Sequence, residues 1–144
     1  MSDIDKQSLE HQAVAHLFGR KAQEVVLVDL RGRSGLCDWF VVATCQSEPQ
    51  LQAIVTGVRR DLREAGFTAL CAEAGNGSRW GVLDYGEVLV HVLLREARDY
   101  YALERLWKDA PQVECRPEDF PLPEAPQGAD VDDDILPSSE EEWK

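Results

Sequence analysis

No Cys-x-x-Cys pair occurs in the 144-residue sequence, whose four cysteines, Cys37, Cys45, Cys71 and Cys115, stand far apart. That spacing argues against a structural zinc site and gives no basis for a disulfide framework. Long apolar runs are missing too: nothing approaches the ~20 residues that a membrane span requires, and no charged-then-apolar leader opens the chain. A soluble, cytoplasmic protein without a membrane partner is therefore expected. Basic charge is scarce, with 15 Lys and Arg against 27 Asp and Glu and a formal net charge of −12. Lacking a basic footprint, the chain is expected to bind nucleic acid little or not at all, while a basic protein partner is permitted.

The acidity is concentrated. Residues 111–144 hold 11 acids and 2 bases, whereas residues 1–110 hold 16 and 13, so the body is nearly balanced. Six of the seven prolines also follow position 110, and the chain ends in "DVDDDILPSSEEEWK". Such a segment buries too little apolar surface to offset its chain entropy. The expected organisation is one α/β domain over residues 1–110 and an acidic, Pro-rich, disordered tail over 111–144.

Within the body, "KQSLEHQAVAHLFGRK" carries Leu9, Val14, Leu17 and Phe18 at roughly helical spacing, with Gly19 as a stop. The aliphatic runs "EVVLVDL" and "DWFVVATC" suit strands buried on both faces. Ser47 and Gln50 stand three apart around Pro49, the pattern of a capping box, and Leu51, Ile54, Val55, Val58 and Leu62 continue it as one stripe. Arg59, Arg60 and Arg63 complement the carbonyl end of that helix, and Gly66 can close it in the left-handed conformation. "FTALCAE" reads as a third strand, "WGVLDYGEVLVHV" as a hairpin turning at Tyr85-Gly86, and "ARDYYALERLWKDA" as a last helix with Tyr100, Leu103 and Trp107 on one stripe. The order αββαβββα predicts a mixed five-stranded sheet with helices packed on it.

Catalytic patterns are weak. There is no nucleophile elbow, the cysteines read as buried, inert thiols, and "GNGS" at 75–78 reads as a turn rather than a phosphate loop. His11 and His16 are five apart, which does not stack them as metal ligands, and both are expected to be solvated. Asp-x-Asp, the pattern that holds Mg²⁺ for phosphoryl transfer, occurs only at Asp3 and Asp5 and in the tail. No catalytic residue, metal or cofactor is expected.

The hairpin is more informative. A two-residue turn at Tyr85-Gly86 would pair Asp84 with Glu87, Val82 with Leu89 and Trp80 with His91 on one face of the sheet. Facing carboxylates at the tip are unfavourable without a cation or solvent. Arg79 or Arg95 is one source of that cation; a protein partner is the other, with Trp80 and Tyr85 as aromatic anchors. His91, between Leu89 and Leu93 on its face, reads as a hydrogen-bonded structural residue.

"WGVLDYGEVLVHVLLREARDYYALERLW" resembles the signature of the ribosomal silencing factors, the RsfS/Iojap family, and "DWFVVAT" and Glu73 extend the resemblance over about residues 6–110. Trp39, Cys45, Gln50 and Ala74 depart from the usual family residues. The resemblance implies a nucleotidyltransferase-like α/β sandwich without catalytic carboxylates. It also implies binding to ribosomal protein fourteen of the large subunit at the intersubunit face, so that subunit joining is blocked and translation falls under nutrient limitation. A homodimer of the free protein is implied as well. Carried onto this chain, the partner-binding residues are Trp80, Asp84, Tyr85, Glu87 and His91 on the hairpin, with Tyr101, Glu104 and Trp107 on the last helix. The alternatives are a nucleotidyltransferase-like enzyme and an RNA-binding ribosome-assembly module.

Overall fold

A computed structural model describes residues 8–33, 35, 37–74 and 77–122, and within helix α4 the side chains of residues 104 and 106 are outside the description. The elements run α1 (Leu9–Gly19), β1 (Gln23–Asp29), β2 (Trp39–Cys45), α2 (Glu48–Glu64), β3 (Cys71–Glu73), β4 (Trp80–Asp84), β5 (Val88–Leu94), α3 (Arg95–Tyr101), α4 (Leu103–Leu106), β6 (Gln112–Glu114) and a 3₁₀ turn (Pro117–Asp119). The sheet order is β3-β4-β5-β2-β1-β6. Among the described residues only β2 and β5 run parallel, and the other neighbours are antiparallel, so the sheet is mixed as expected.

The central pair β2 and β5 carries the aliphatic runs because both its faces are covered. On one face, α1 and α2 pack Leu17, Leu51, Ile54, Val55 and Val58 against Val41, Leu83, Val90 and Val92. On the other, Ala97 and Leu103, with Trp107 beyond them, pack on Val28, Phe40, Val42 and Leu93. Helix α2 starts as its sequence dictates: Ser47 Oγ accepts from Gln50 N at 3.2 Å, and Gln50 Oε1 accepts from Gln46 N at 2.6 Å. Gly66, at φ +101°, follows its end. Close approach of α2 to the hairpin depends on Gly81, where an added Cβ would lie 2.7 Å from Val55 Cγ2. Gly81→Ala is expected to destabilise the fold by about 1–3 kcal/mol through overpacking, measurable by urea titration.

Four expectations are corrected. The sheet has a sixth strand, drawn from the segment assigned to the tail: Val26 pairs with Glu114, Leu27 with Val113 and Val28 with Gln112. The outer edge of β1 would otherwise leave backbone groups unpaired there, and the flanking Cys115 N and Pro111 O extend the pairing to Val25 O and Asp29 N. Phe120, further along the same segment, is buried in the helix-side core; residues 123–144 of the expected tail lie outside the described residues. His11 is not solvated but only 2% exposed, because Phe120 folds back over α1 with its ring 4.8 Å from the imidazole. His16 is half-buried, with Nδ1 3.4 Å from Asp61. The last helix is broken: Ala102 adopts φ +45°, ending α3 and separating it from α4. Of the thiols, Cys37 and Cys45 are buried, but Cys71 is exposed on the short edge strand and Cys115 is intermediate.

Candidate protein-docking surface

Strands β4 and β5 pair Trp80 with Leu93, Val82 with His91 and Asp84 with Leu89, two residues out of the expected register. The turn lies one residue later, at Gly86-Glu87, with Tyr85 N donating to Val88 O at 2.9 Å. Gly86 has φ +88°, at the first central position, where a type II′ turn requires a positive φ. Asp84 Oδ1 secures the turn by accepting from Gly86 N at 2.8 Å. Because the shift is even, Trp80, Val82, Asp84, Leu89 and His91 still share one face.

The opposed carboxylates therefore do not exist. Asp84 faces Leu89 and is half-buried, while the exposed Glu87 sits in the turn, its carbonyl accepting from Asp38 N at 2.9 Å and Trp39 N at 3.0 Å. Tyr85 is corrected as well. By alternation it faces α2, where it is buried in the helix-side core, so it is no surface anchor. Burial pushes its hydroxyl up to about 12, and that oxygen has no hydrogen-bond partner among the described residues. Tyr85→Phe is expected to leave thermal stability unchanged or to raise it by about 1 kcal/mol, since the lost group gains nothing in the folded state.

Aromatic residues, not acids, organise this face. Trp80 Nε1 donates to His91 Nδ1 at 3.0 Å, which fixes the indole and leaves the imidazole neutral. His91 is only 6% exposed, and burial holds it down to about 4. Its ring lies 4.4 Å from Phe40, which meets Trp107 edge-on at 6.2 Å. On the outer side, Trp80 makes a tilted ring contact with Tyr101 at 4.7 Å, and Tyr101 meets Tyr100 edge-on at 5.0 Å. The series Tyr100, Tyr101, Trp80, His91, Phe40, Trp107 thus passes from solvent to the buried His91 and Phe40 and on to the half-buried Trp107. Tyr101 is 48% exposed and Tyr100 81%, so the outer end is open.

Of the eight predicted residues, the structure brings together Trp80, His91, Tyr101 and, through Phe40, Trp107. His91 and the half-buried Trp107 support the surface from beneath. Asp84 and Glu87 lie at the far end of the hairpin, about 13 Å away along the strand, and Glu104 is on α4. Sequence reasoning missed Tyr100 as a surface residue because an unbroken helix would put it on the stripe of Leu103. In the structure α3 buries Ala97 and Arg98 and leaves Tyr100 outside, and the left-handed Ala102 separates it from Leu103, a break for which alanine carries no signal.

A groove of about 980 Å³ lies between β1, β6 and α3. There the buried Arg98 donates to Thr44 Oγ1 at 2.7 Å and to the Glu24 carbonyl, tying α3 to the sheet. Its lining mixes Glu24, Asp99 and Glu114 with Arg98 and Arg105 and favours no one ligand charge. Among the described residues, no group of three His, Cys, Asp or Glu side chains is placed to hold a metal ion, and no helix is long and apolar enough to cross a membrane.

The family model described as "Ribosomal silencing factor during starvation" matches residues 3–141. Ribosomal silencing factor RsfS of Halalkalibacterium halodurans is 37% identical over 111 residues, covering 77% of this chain and 95% of that protein. The RsfS of Bacillus subtilis is 32% identical over 108 residues, covering 75% and 92%. A crystal structure of a Chromobacterium violaceum protein superposes with a TM-score of 0.68 at 28% identity, covering 80% of this chain and 99% of that one. A paired mixed sheet, an outward aromatic series and matches spanning most of the body converge: the chain belongs to the ribosomal silencing factor RsfS family.

Proposed function

We propose that this chain docks through the Trp80–Tyr101 face on ribosomal protein fourteen of the large subunit and sterically prevents the small subunit from joining. Translation is thereby repressed under nutrient limitation. The observation that carries this reading is the open end of the aromatic series, where Tyr101 and Tyr100 remain exposed beside a half-buried Trp80. Aromatic side chains with rigid support are the residues that dominate binding hot spots. His91 and Phe40 give Trp80 that support from beneath.

The action is one of occupancy. A patch of about 800 Å² per partner is enough for a specific complex, and a blocker at an intersubunit face makes and breaks no bond. The protein acts in the cytoplasm as a regulator and not as an enzyme, and the free form is a homodimer. The slight net acidity of residues 1–110 steers it toward a basic ribosomal protein with a salt-sensitive association rate.

Co-sedimentation with separately purified subunits tests the reading. The protein is expected to travel with large subunits and not with small ones, and cross-linking is expected to capture ribosomal protein fourteen. Association with small subunits alone, or cross-links only to RNA, would contradict it.

A further inference from the structure

Beside the aromatic series lies a cleft of about 640 Å³ lined by Ser78, Arg79, Trp80, Glu96, Ala97, Tyr100 and Tyr101. Three of its walls are aromatic rings in contact: Trp80 on Tyr101 at 4.7 Å, and Tyr101 on Tyr100 at 5.0 Å and 86°. The indole N–H is already committed to His91, so Trp80 has no donor left and offers its ring. Each ring presents a negative quadrupole face, and rings meeting at an angle concentrate that potential in the corner between them.

Glu96 adds a full negative charge to the same cleft. Its only described ion-pair contact is Arg79 Nη1 at 3.9 Å, with both side chains 64% exposed. An exposed pair at that separation is weak, so Arg79 is easily displaced. The neighbouring Arg95 is not a competitor: it is held by Glu24 at 2.8 and 3.0 Å. An aromatic corner with a loosely held carboxylate is complementary to a cation with a flat, weakly hydrated face, which describes a guanidinium better than an ammonium.

We propose that this cleft seats an arginine side chain of the protein partner, stacked against Trp80, Tyr100 and Tyr101 and neutralised by Glu96. The assignment rests on the docking reading above and names the group on the partner that this part of the surface recognises. Tyr100 and Glu96, which do not support the core, become determinants of specificity.

The test is the affinity of full-length variants for purified large subunits at low and high salt. Tyr100→Leu keeps the apolar character but removes the ring face, and is expected to weaken binding by about 5- to 10-fold. Tyr100→Phe keeps the ring and is expected to stay within about twofold of wild type. Glu96→Gln is expected to weaken binding about fivefold at low salt, with the difference shrinking at high salt. Wild-type affinity in both Tyr100→Leu and Glu96→Gln, alongside loss of binding in a Trp80→Ala/Tyr101→Ala variant, would overturn the arginine seat and leave the docking reading standing. A loss in Tyr100→Leu with none in Glu96→Gln would overturn the cationic occupant. No binding of wild-type protein to large subunits would overturn both readings together.

Discussion

Trp80→Ala/Tyr101→Ala is expected to weaken binding to large subunits by about 100-fold or more, the sum of two hot-spot truncations of about 2 kcal/mol each less their mutual coupling. The coupling follows from the ring contact at 4.7 Å, since removing one ring already loosens the other. Tyr101→Ala alone is expected to show much of the loss without touching the core, since that residue is 48% exposed. Trp80→Ala also leaves His91 Nδ1 without its donor, and the double variant therefore needs a thermal melt beside the binding measurement. Glu87→Ala provides the contrast: its side chain is exposed at the far end of the hairpin, and a change of less than about threefold is expected.

Acidification provides the second large effect. Burial lowers His91 from the ordinary 6.5 to about 4, so between those values the unfolded chain holds a proton that the folded chain refuses. Stability therefore rises with pH across this window, and the contribution present above pH 6.5 is lost progressively as pH falls toward 4. Unfolding free energy is expected to drop by about 2–3 kcal/mol between pH 7 and pH 4.5 from this group alone. Asp29 is held below the usual carboxylate range by Arg31, and Asp61 is held there too because its His16 and Arg20 hydrogen bonds and charges together outweigh the upward push of burial, so both lose their contributions only at lower pH. Urea titrations at the two pH values check the sign. His91→Gln, which retains an acceptor for Trp80 without titrating in this range, is expected to flatten the dependence.

The strong periodic elements were legible in the sequence. The capping pattern at Ser47, the stripe from Leu51 to Leu62 and the aliphatic runs of β1, β2 and β5 each depend on local chemistry that the residues carry openly. The face shared by Trp80, Val82, Asp84 and His91 was legible too, because alternation survives an even shift of register. What escaped was decided by long-range contact. Strand β6 is only three residues long and forms because β1 offers an open edge, while His11 is buried because Phe120 returns to it from more than 100 residues away. The turn lies one residue beyond its expected place because Gly86 takes the first central position, where a positive φ is needed, and the expected acidic pair is absent as a result. Tyr85 went with it. The candidate docking surface is correspondingly more aromatic and less acidic than its sequence suggested.

One property of the molecule carries the docking reading, an aromatic corner that remains open beside the sheet. Light scattering of small and large subunits mixed with this protein tests it most directly. Preincubation of large subunits with wild-type protein is expected to suppress the joined particle in proportion to occupancy, and the Trp80→Ala/Tyr101→Ala variant is expected to restore joining. Equal suppression by both proteins, or unimpeded joining at saturating wild type, would contradict the account.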